Sequence, residues 1–257
     1  MLLAIDCGNT NTVFAVFDGD EIRGRWRIAT QAQRTADEYA VWLTQLMSLR
    51  GLAVSDVHAA IVTTVVPGTR RIIVSLLEGY FSVTPLIVRD PNVELGTTAL
   101  VERPEQVGAD RLVNAVGAHL LYEGDLIAVD FGTGTTFDVI DADGNFRGGI
   151  IAPGINLSVE ALYMTGALLP RINIEKPDKV IGGATVPAMQ SGVFWGYVSM
   201  IEGMIPRIVA EYGKPMKVIA TGGLAPIFSD VTDVIDAVEP DLTLIGLAEI
   251  ARRNKVL

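Results

Sequence analysis

The sequence repeats itself. Moved along by the 124 positions that separate Asp6 from Asp130, the beginning of the chain lies over its middle. Leu2, Ala4, Asp6, Gly8, Thr12, Arg23 and Gly24 then meet Leu126, Ala128, Asp130, Gly132, Thr136, Arg147 and Gly148. The positions between keep their character, with Leu3 over Ile127, Ile5 over Val129 and Val16 over Ile140. Each copy reads as an apolar strand, an Asp-x-Gly turn rich in Thr and Asn, a second strand, an acidic glycine turn and a third strand. A shared hairpin habit accounts for part of this, but not for an Asp-x-Gly closing the leading strand twice. Two similar α/β domains related by internal duplication are expected, over residues 1–123 and 124–257.

Short β-branched runs predict strands at 2–6, 13–17, 59–65, 86–88, 126–130, 137–140 and 218–221. Helical spacing predicts helices at 36–49, 69–77, 110–122, 158–168, 186–212 and 242–254, the fifth kinked near Pro206. The first has the clearest start, since Thr35 and Glu38 form a capping box and Gly51 lies beyond its end. Tyr39, Trp42, Leu43, Leu46 and Met47 then share its apolar face.

Composition narrows the function. Hydrophobic residues make up 49% and charged ones 19%, which excludes disorder and allows a sizeable core. The 20 basic side chains are outnumbered by 30 acidic ones, for a net charge of −10. That balance argues against nucleic acid and against an anionic membrane surface as partners. One cysteine and two histidines make neither an internal disulfide nor a thiolate or imidazole metal cage. The start, Met1-Leu2-Leu3-Ala4-Ile5-Asp6, lacks a basic signal-peptide region, and no apolar run approaches a membrane span. The expectation is a cytoplasmic protein.

Chemistry concentrates at the two repeated turns, Asp6-Cys7-Gly8-Asn9-Thr10-Asn11-Thr12-Val13 and Asp130-Phe131-Gly132-Thr133-Gly134-Thr135-Thr136. Glycine lets backbone approach a ligand, and turn N–H groups with Thr and Asn side chains donate to phosphate oxygens. The leading carboxylate suits a Mg²⁺ ion held partly by water and substrate phosphates. One such turn alone is an ordinary hairpin. Two aligned copies point to a polyphosphate clamped from both sides of an interdomain cleft. A dinucleotide fingerprint fails, because Gly132-x-Gly134 runs on to Phe137 and a strand rather than to a third glycine and a helix. No P-loop signature occurs.

Three further clusters stand out. Gly108-Ala109-Asp110-Arg111 opens a helix, where Asp110 is either a dipole-stabilised first-turn carboxylate or a general base beside a cationic anchor. Arg147-Gly148-Gly149-Ile150-Ile151-Ala152-Pro153-Gly154 reads as a turn-rich continuation of the second hairpin. Thr221-Gly222-Gly223 follows a strand, where a flat base can lie on backbone. Cys7, His58 and His119 read as structural, Arg23, Arg25 and Arg27 as an exposed strand face, and Phe194, Trp195 and Tyr197 as core or dimer packing. The apolar 186–212 segment exceeds what one monomer face buries, which predicts a homodimer.

Taken together these motifs resemble the type III pantothenate kinase family, nearly end to end from Asp6-Cys7-Gly8-Asn9-Thr10-Asn11 to Thr221-Gly222-Gly223. Thr35-Ala36-Asp37-Glu38 and Gly182-Gly183-Ala184-Thr185 fit it as well. The resemblance implies two ribonuclease H-like (actin-like ATPase) domains and transfer of the ATP γ-phosphoryl group to pantothenate. It implies that Asp6 through Val13 form the first ATP-phosphate loop, with Thr133, Gly222 and Gly223 also on ATP. It implies Asp110 as catalytic base, Gly108, Ala109, Arg111 and Thr185 on substrate, and Asp130 near an activating K⁺ or NH₄⁺. It also implies Mg²⁺ with ATP, and a homodimer. The family's usual Asn-Pro is Arg103-Pro104 here, and its usual aromatic seven residues before Gly108 is Val101. The rivals are a related kinase of a sugar or short acid, and a nucleotide-binding regulator that hydrolyses ATP slowly.

Overall fold

A computed structural model describes residues 1–166 and 169–256. The chain divides into two compact units. Unit 1 opens with β1 (Leu2–Cys7), β2 (Asn11–Asp18) and β3 (Glu21–Ala29), then α1 (Ala36–Ser48), β4 (Ala59–Thr64), α2 (Thr69–Leu76), β5 (Leu86–Ile87) and α3 (Ala109–Leu121). Unit 2 follows with β6 (Leu126–Phe131), β7 (Gly134–Ile140), β8 (Phe146–Pro153), α4 (Ile155–Thr165), α5 (Thr185–Tyr212), β9 (Lys217–Thr221), α6 (Ala225–Ser229) and β10 (Ala237–Val238). A last helix, α7 (Leu242–Arg253), returns to unit 1.

The duplication is visible in the sheets. One has the order β3-β2-β1-β4-β5 and the other β8-β7-β6-β9-β10, the same path traced twice. In each, the first two strands pair antiparallel and the leading strand pairs parallel with the fourth. The 124-residue displacement holds through the leading strand and then slips. Cys7 pairs with Thr12 across the first hairpin and Phe131 with Thr135 across the second, so the second loop is one residue shorter. Thr12 therefore corresponds in space to Thr135 rather than to Thr136.

The sheet of unit 1 is covered on both faces. Leu3, Ile5, Phe14 and Val62 pack under α1 and α2 with Tyr39, Leu43, Met47 and Ile73. The opposite face, Leu2, Ala4, Ala15, Phe17 and Ile61, is closed by Val113 and Val116 of α3 and by Leu244, Leu247 and Ile250 of α7. Expecting each half to be contiguous was therefore incorrect for the last helix. Alternation along β1 leaves both faces apolar, and α3 alone does not cover the second one. Two mid-helix glycines bring α3 and α7 together: a Cβ on Gly117 would stand 2.5 Å from the Leu242 carbonyl oxygen, and one on Gly246 would strike that of Val113.

In unit 2 the sheet residues Ile127, Val129, Phe137, Val218 and Ala220 meet Phe194, Tyr197, Val198 and Ile201 of α5. Phe228 is fully buried, with its ring 5.0 Å from that of Phe131, 5.8 Å from Phe194 and 5.9 Å from Tyr197. Burying such a ring is worth about 1.5–3 kcal/mol. The aromatic group on the long helix is thus core, and α5 runs through Pro206 as one element.

Two sequence expectations need correction. The 147–154 cluster is not a run of turns: residues 147–153 are the body of strand β8 and alternate between more and less exposed, and Gly154 is the N-cap of α4. Its glycines hide the strand from propensity, and Gly148, at φ +125°, uses backbone space closed to other residues. The single boundary near residue 123 is likewise replaced, since residues 144–146 and α7 belong with unit 1. The expected helix 158–168 reaches Leu168, which lies outside the described residues.

Candidate active site

The first loop is tied down from behind. Gly8 N–H donates to the Asn11 carbonyl at 3.0 Å, which closes the turn. Thr30, just past β3, anchors it: its hydroxyl donates to the Gly8 carbonyl at 2.8 Å and shares a 2.9 Å bond with the Thr12 hydroxyl. Its N–H donates to the Thr10 carbonyl at 2.9 Å. Asn9 and Thr10 are left exposed at the tip, while Cys7 and Thr12 are buried and Val13 is half-buried in the strand. The side chains of Cys7 and Thr12 thus face inward, and what they offer an outside ligand is main chain. Burial, then the negative charge of Asp6, pushes the Cys7 thiol up to about 12. It is a packing residue, as expected.

The second loop has its own supports within unit 2. Gly132 N–H donates to the Gly134 carbonyl at 3.1 Å, leaving Gly132 and Thr133 exposed. Gly154 passes so close beneath that a Cβ there would strike the Thr133 carbonyl. Gly222, at φ +91°, comes just after β9, which pairs Thr221 with Asp130. A Cβ on Gly222 would lie 2.7 Å from the Phe131 carbonyl oxygen and 2.8 Å from Asp130 Oδ1. That absent side chain leaves a cradle faced by two hard oxygens, the donor type that suits alkali and alkaline-earth cations. Gly223 beside it is exposed. Among the described residues no three His, Cys, Asp or Glu side chains gather into a metal cage. A divalent ion here would need phosphate oxygens or water to complete its shell, as Mg²⁺ does in phosphoryl-transfer sites.

Asp110 stands in the first turn of α3 and accepts the Arg111 N–H at 2.8 Å. Burial raises its pKa, opposed by that N–H and by the Arg111 charge. A carboxyl so placed is a better proton acceptor than a solvated one. Gly108 makes room for it, since a Cβ there would lie 2.5 Å from Asp110 Oδ1. The Arg111 guanidinium lies 5.1 Å from the Phe146 ring centroid. Ala109 is buried in the unit 1 core and fixes the start of the helix.

The turn before this motif is held by a residue the sequence did not single out. Arg89 donates to the carbonyls of Pro104, at 3.0 Å, and Val107. It does so from a left-handed backbone at φ +74°, uncommon outside glycine. Thr30 was missed for the same reason: its partners are distant in sequence. The remaining substrate candidate, Thr185, begins α5 and is exposed on the rim of an apolar groove of about 1060 Å³. Leu157, Leu162, Met189, Tyr197 and Met200 line it. His58 and the arginines 23, 25 and 27 are exposed, and His119 packs on the Gly144 turn.

Comparison with known proteins identifies the family. The family described as Type III pantothenate kinase matches over residues 2–207. A type III pantothenate kinase of Paramagnetospirillum magneticum is 61% identical over 254 residues, covering 99% of this chain and 98% of that protein. One of Rhodospirillum rubrum is 59% identical, with 99% of both chains covered. In fold the chain is similar to the ROK hexokinase of Thermus thermophilus, at a TM-score of 0.50 and 13% identity, covering 99% of this chain and 98% of that one. That likeness concerns architecture alone: two α/β units built on one repeated sheet. With a full-length match at 61% identity, the chain belongs to the type III pantothenate kinase family.

Proposed function

We infer that this protein phosphorylates pantothenate with ATP, giving 4′-phosphopantothenate and ADP, the first step of coenzyme A biosynthesis. The half-buried Asp110 carboxyl, set in the first turn of α3 and accepting the Arg111 N–H, in a chain of this family, is the observation that carries the reading. The primary hydroxyl oxygen of pantothenate attacks the γ-phosphorus as the bond to the bridging oxygen of ADP breaks. The hydroxyl proton passes to Asp110. In a loose phosphoryl transfer that proton leaves late, so a carboxylate of modestly raised pKa suffices once it is within hydrogen-bond reach.

The two loops take the phosphates. Asn9, Thr10 and Asn11 with the N–H groups of the first loop, and Thr133 with those of the second, donate to phosphate oxygens. Gly222 and Gly223 give the adenosine a flat backbone surface. Mg²⁺ held on the phosphates would supply charge neutralisation during transfer, and Asp6 is the side chain that would receive it. The cradle of Asp130, Phe131 and Gly222 suits a monovalent cation such as K⁺ or NH₄⁺. Arg111 pairs with the pantothenate carboxylate, and Gly108, Ala109 and Thr185 shape the pocket.

The assembly is a homodimer made through α4 and α5. Leu157, at 55% exposure, and Leu162, at 38%, line the apolar groove and make a poor surface for a lone monomer. The working compartment is the cytoplasm; among the described residues no helix is long and apolar enough to cross a membrane. ATP consumption by the purified chain, with and without pantothenate, tests the reading. Turnover that depends on pantothenate is the expected result. Turnover indifferent to it, or elicited by a sugar instead, would overturn it.

A further inference from the structure

The duplication carries one pairing that no role above uses. Asp6 lies in register beside Thr63 of the parallel strand β4, and Asp130 lies in register beside Thr221 of β9. Residues opposed across a parallel pair project from the same face. In unit 1 that face is set by Leu2 and Ala4 of β1 with Ala59 and Ile61 of β4. Aligned by this register, residues 59–63 and 217–221 agree only at Ile61 with Ile219 and at Thr63 with Thr221. The isoleucines are core; the threonines stand beside the functional carboxylates.

Thr63 is fully buried, and its hydroxyl has no hydrogen-bond partner. The neighbouring Thr64, on the other face, shares a 2.8 Å bond with the Thr69 hydroxyl. A buried hydroxyl left unpaired is unfavourable and needs a reason. Paired strands run about 4.8 Å apart, so a Thr hydroxyl and an Asp carboxylate side by side can meet by rotating toward each other.

We propose that Thr63 is a positioning residue for Asp6: its hydroxyl donates to the Asp6 carboxylate when Mg·ATP is bound and fixes the direction in which that carboxylate points. Thr221 is its counterpart beside Asp130. The proposal rests on the reading of Asp6 as the receiver of Mg·ATP.

The test is titration calorimetry of Mg·ATP into the full-length wild type, Thr63→Val and Thr63→Ser, with thermal melts of all three. Valine keeps the shape and removes the hydroxyl. It is expected to weaken Mg·ATP binding about tenfold, the scale of a hydrogen bond to a charged group. Its melting temperature should equal or exceed the wild-type value, because the group removed is unpaired in the unliganded fold. Serine restores binding. A Thr63→Val affinity within twofold of wild type would overturn the proposal, as would a serine variant that binds no better than valine. If the wild type itself fails to bind Mg·ATP, the kinase reading falls with it. If the wild type binds ATP and turns over with pantothenate while Thr63→Val matches it, only the role of Thr63 falls.

Discussion

Gly117→Ala should weaken the fold although alanine is the better helix former. The added Cβ would stand 2.5 Å from the Leu242 carbonyl oxygen and 3.2 Å from the Gly246 nitrogen. Ordinary contacts of this kind begin near 3.4 Å, so α3 and α7 must part by about 0.9 Å. Both opposing atoms are backbone, and no rotamer change relieves them. Overpacking of this sort costs up to about 3 kcal/mol, while replacing a mid-helix glycine returns about 1 kcal/mol. The net loss is about 2 kcal/mol, or a fall of roughly 4–8 °C in melting temperature for a protein of this size. Gly203→Ala in α5 is the control, because its Cβ would meet only the end of a long side chain, the Arg207 guanidinium at 2.9 Å, which can swing aside at the loss of one exposed hydrogen bond to the Gly203 carbonyl. That variant should gain about 1 kcal/mol. Because α3 carries Asp110 in its first turn, Gly117→Ala should also lower kcat, by up to about 10²-fold for a displacement near 1 Å. Calorimetric melts of the two variants decide the matter. A Gly117→Ala protein that melts at or above the wild-type temperature would refute the close-crossing argument.

Asp110→Asn should cut kcat by about 10²–10⁴ and leave ATP affinity little changed, as read from steady-state rates and a direct binding titration. Its stability should move the other way. Burial raises the Asp110 pKa, so the folded state loses stability as pH rises through that raised value. The asparagine variant should therefore melt at or above the wild type near pH 8, the difference closing below about pH 4, and a wild type more stable at pH 8 would contradict this. Gly222→Ala should weaken dependence on the monovalent cation and on ATP together, because its Cβ enters the cradle 2.8 Å from Asp130 Oδ1; an unchanged K⁺ activation curve would count against the cradle. With its thiol pushed up to about 12, Cys7 should resist a thiol reagent at pH 8 until denaturant is added, and rapid labelling of the native chain would show that the loop opens.

What the sequence disclosed was local. The leading strands, the capping box at Thr35 and Glu38 and both Asp-x-Gly turns depend on neighbours within a few residues, and each lies where it was expected. The one-residue slip between the hairpins escaped because loop length is set by strand register, not by the turn's composition. The repeat called for a third strand at Arg147 and Gly148, but its full length to Pro153 escaped because Gly148 and Gly149 have low strand propensity, which pairing with β7 overrides. Thr30 and Arg89 escaped because each reaches carbonyls roughly 15–22 residues away, and nothing in either residue's surroundings signals that. The placement of α7 was least legible, since its apolar face fits many partners and only the uncovered side of the first sheet selects one.

That placement bears on how the chain is made. Residues 122–241 separate α3 from α7, so the first sheet emerges from the ribosome long before the helix that closes its second face. At about 5–20 residues per second, Leu2, Ala4, Phe17 and Ile61 wait on the order of ten seconds without their final cover. During that interval the nascent unit 1 offers an apolar sheet face of the kind chaperones hold. A chain cut short before Leu242 would have both loops and the α1–α2 side of unit 1 in place but its second sheet face unfinished, and the first half completes its native core only after the second has been translated.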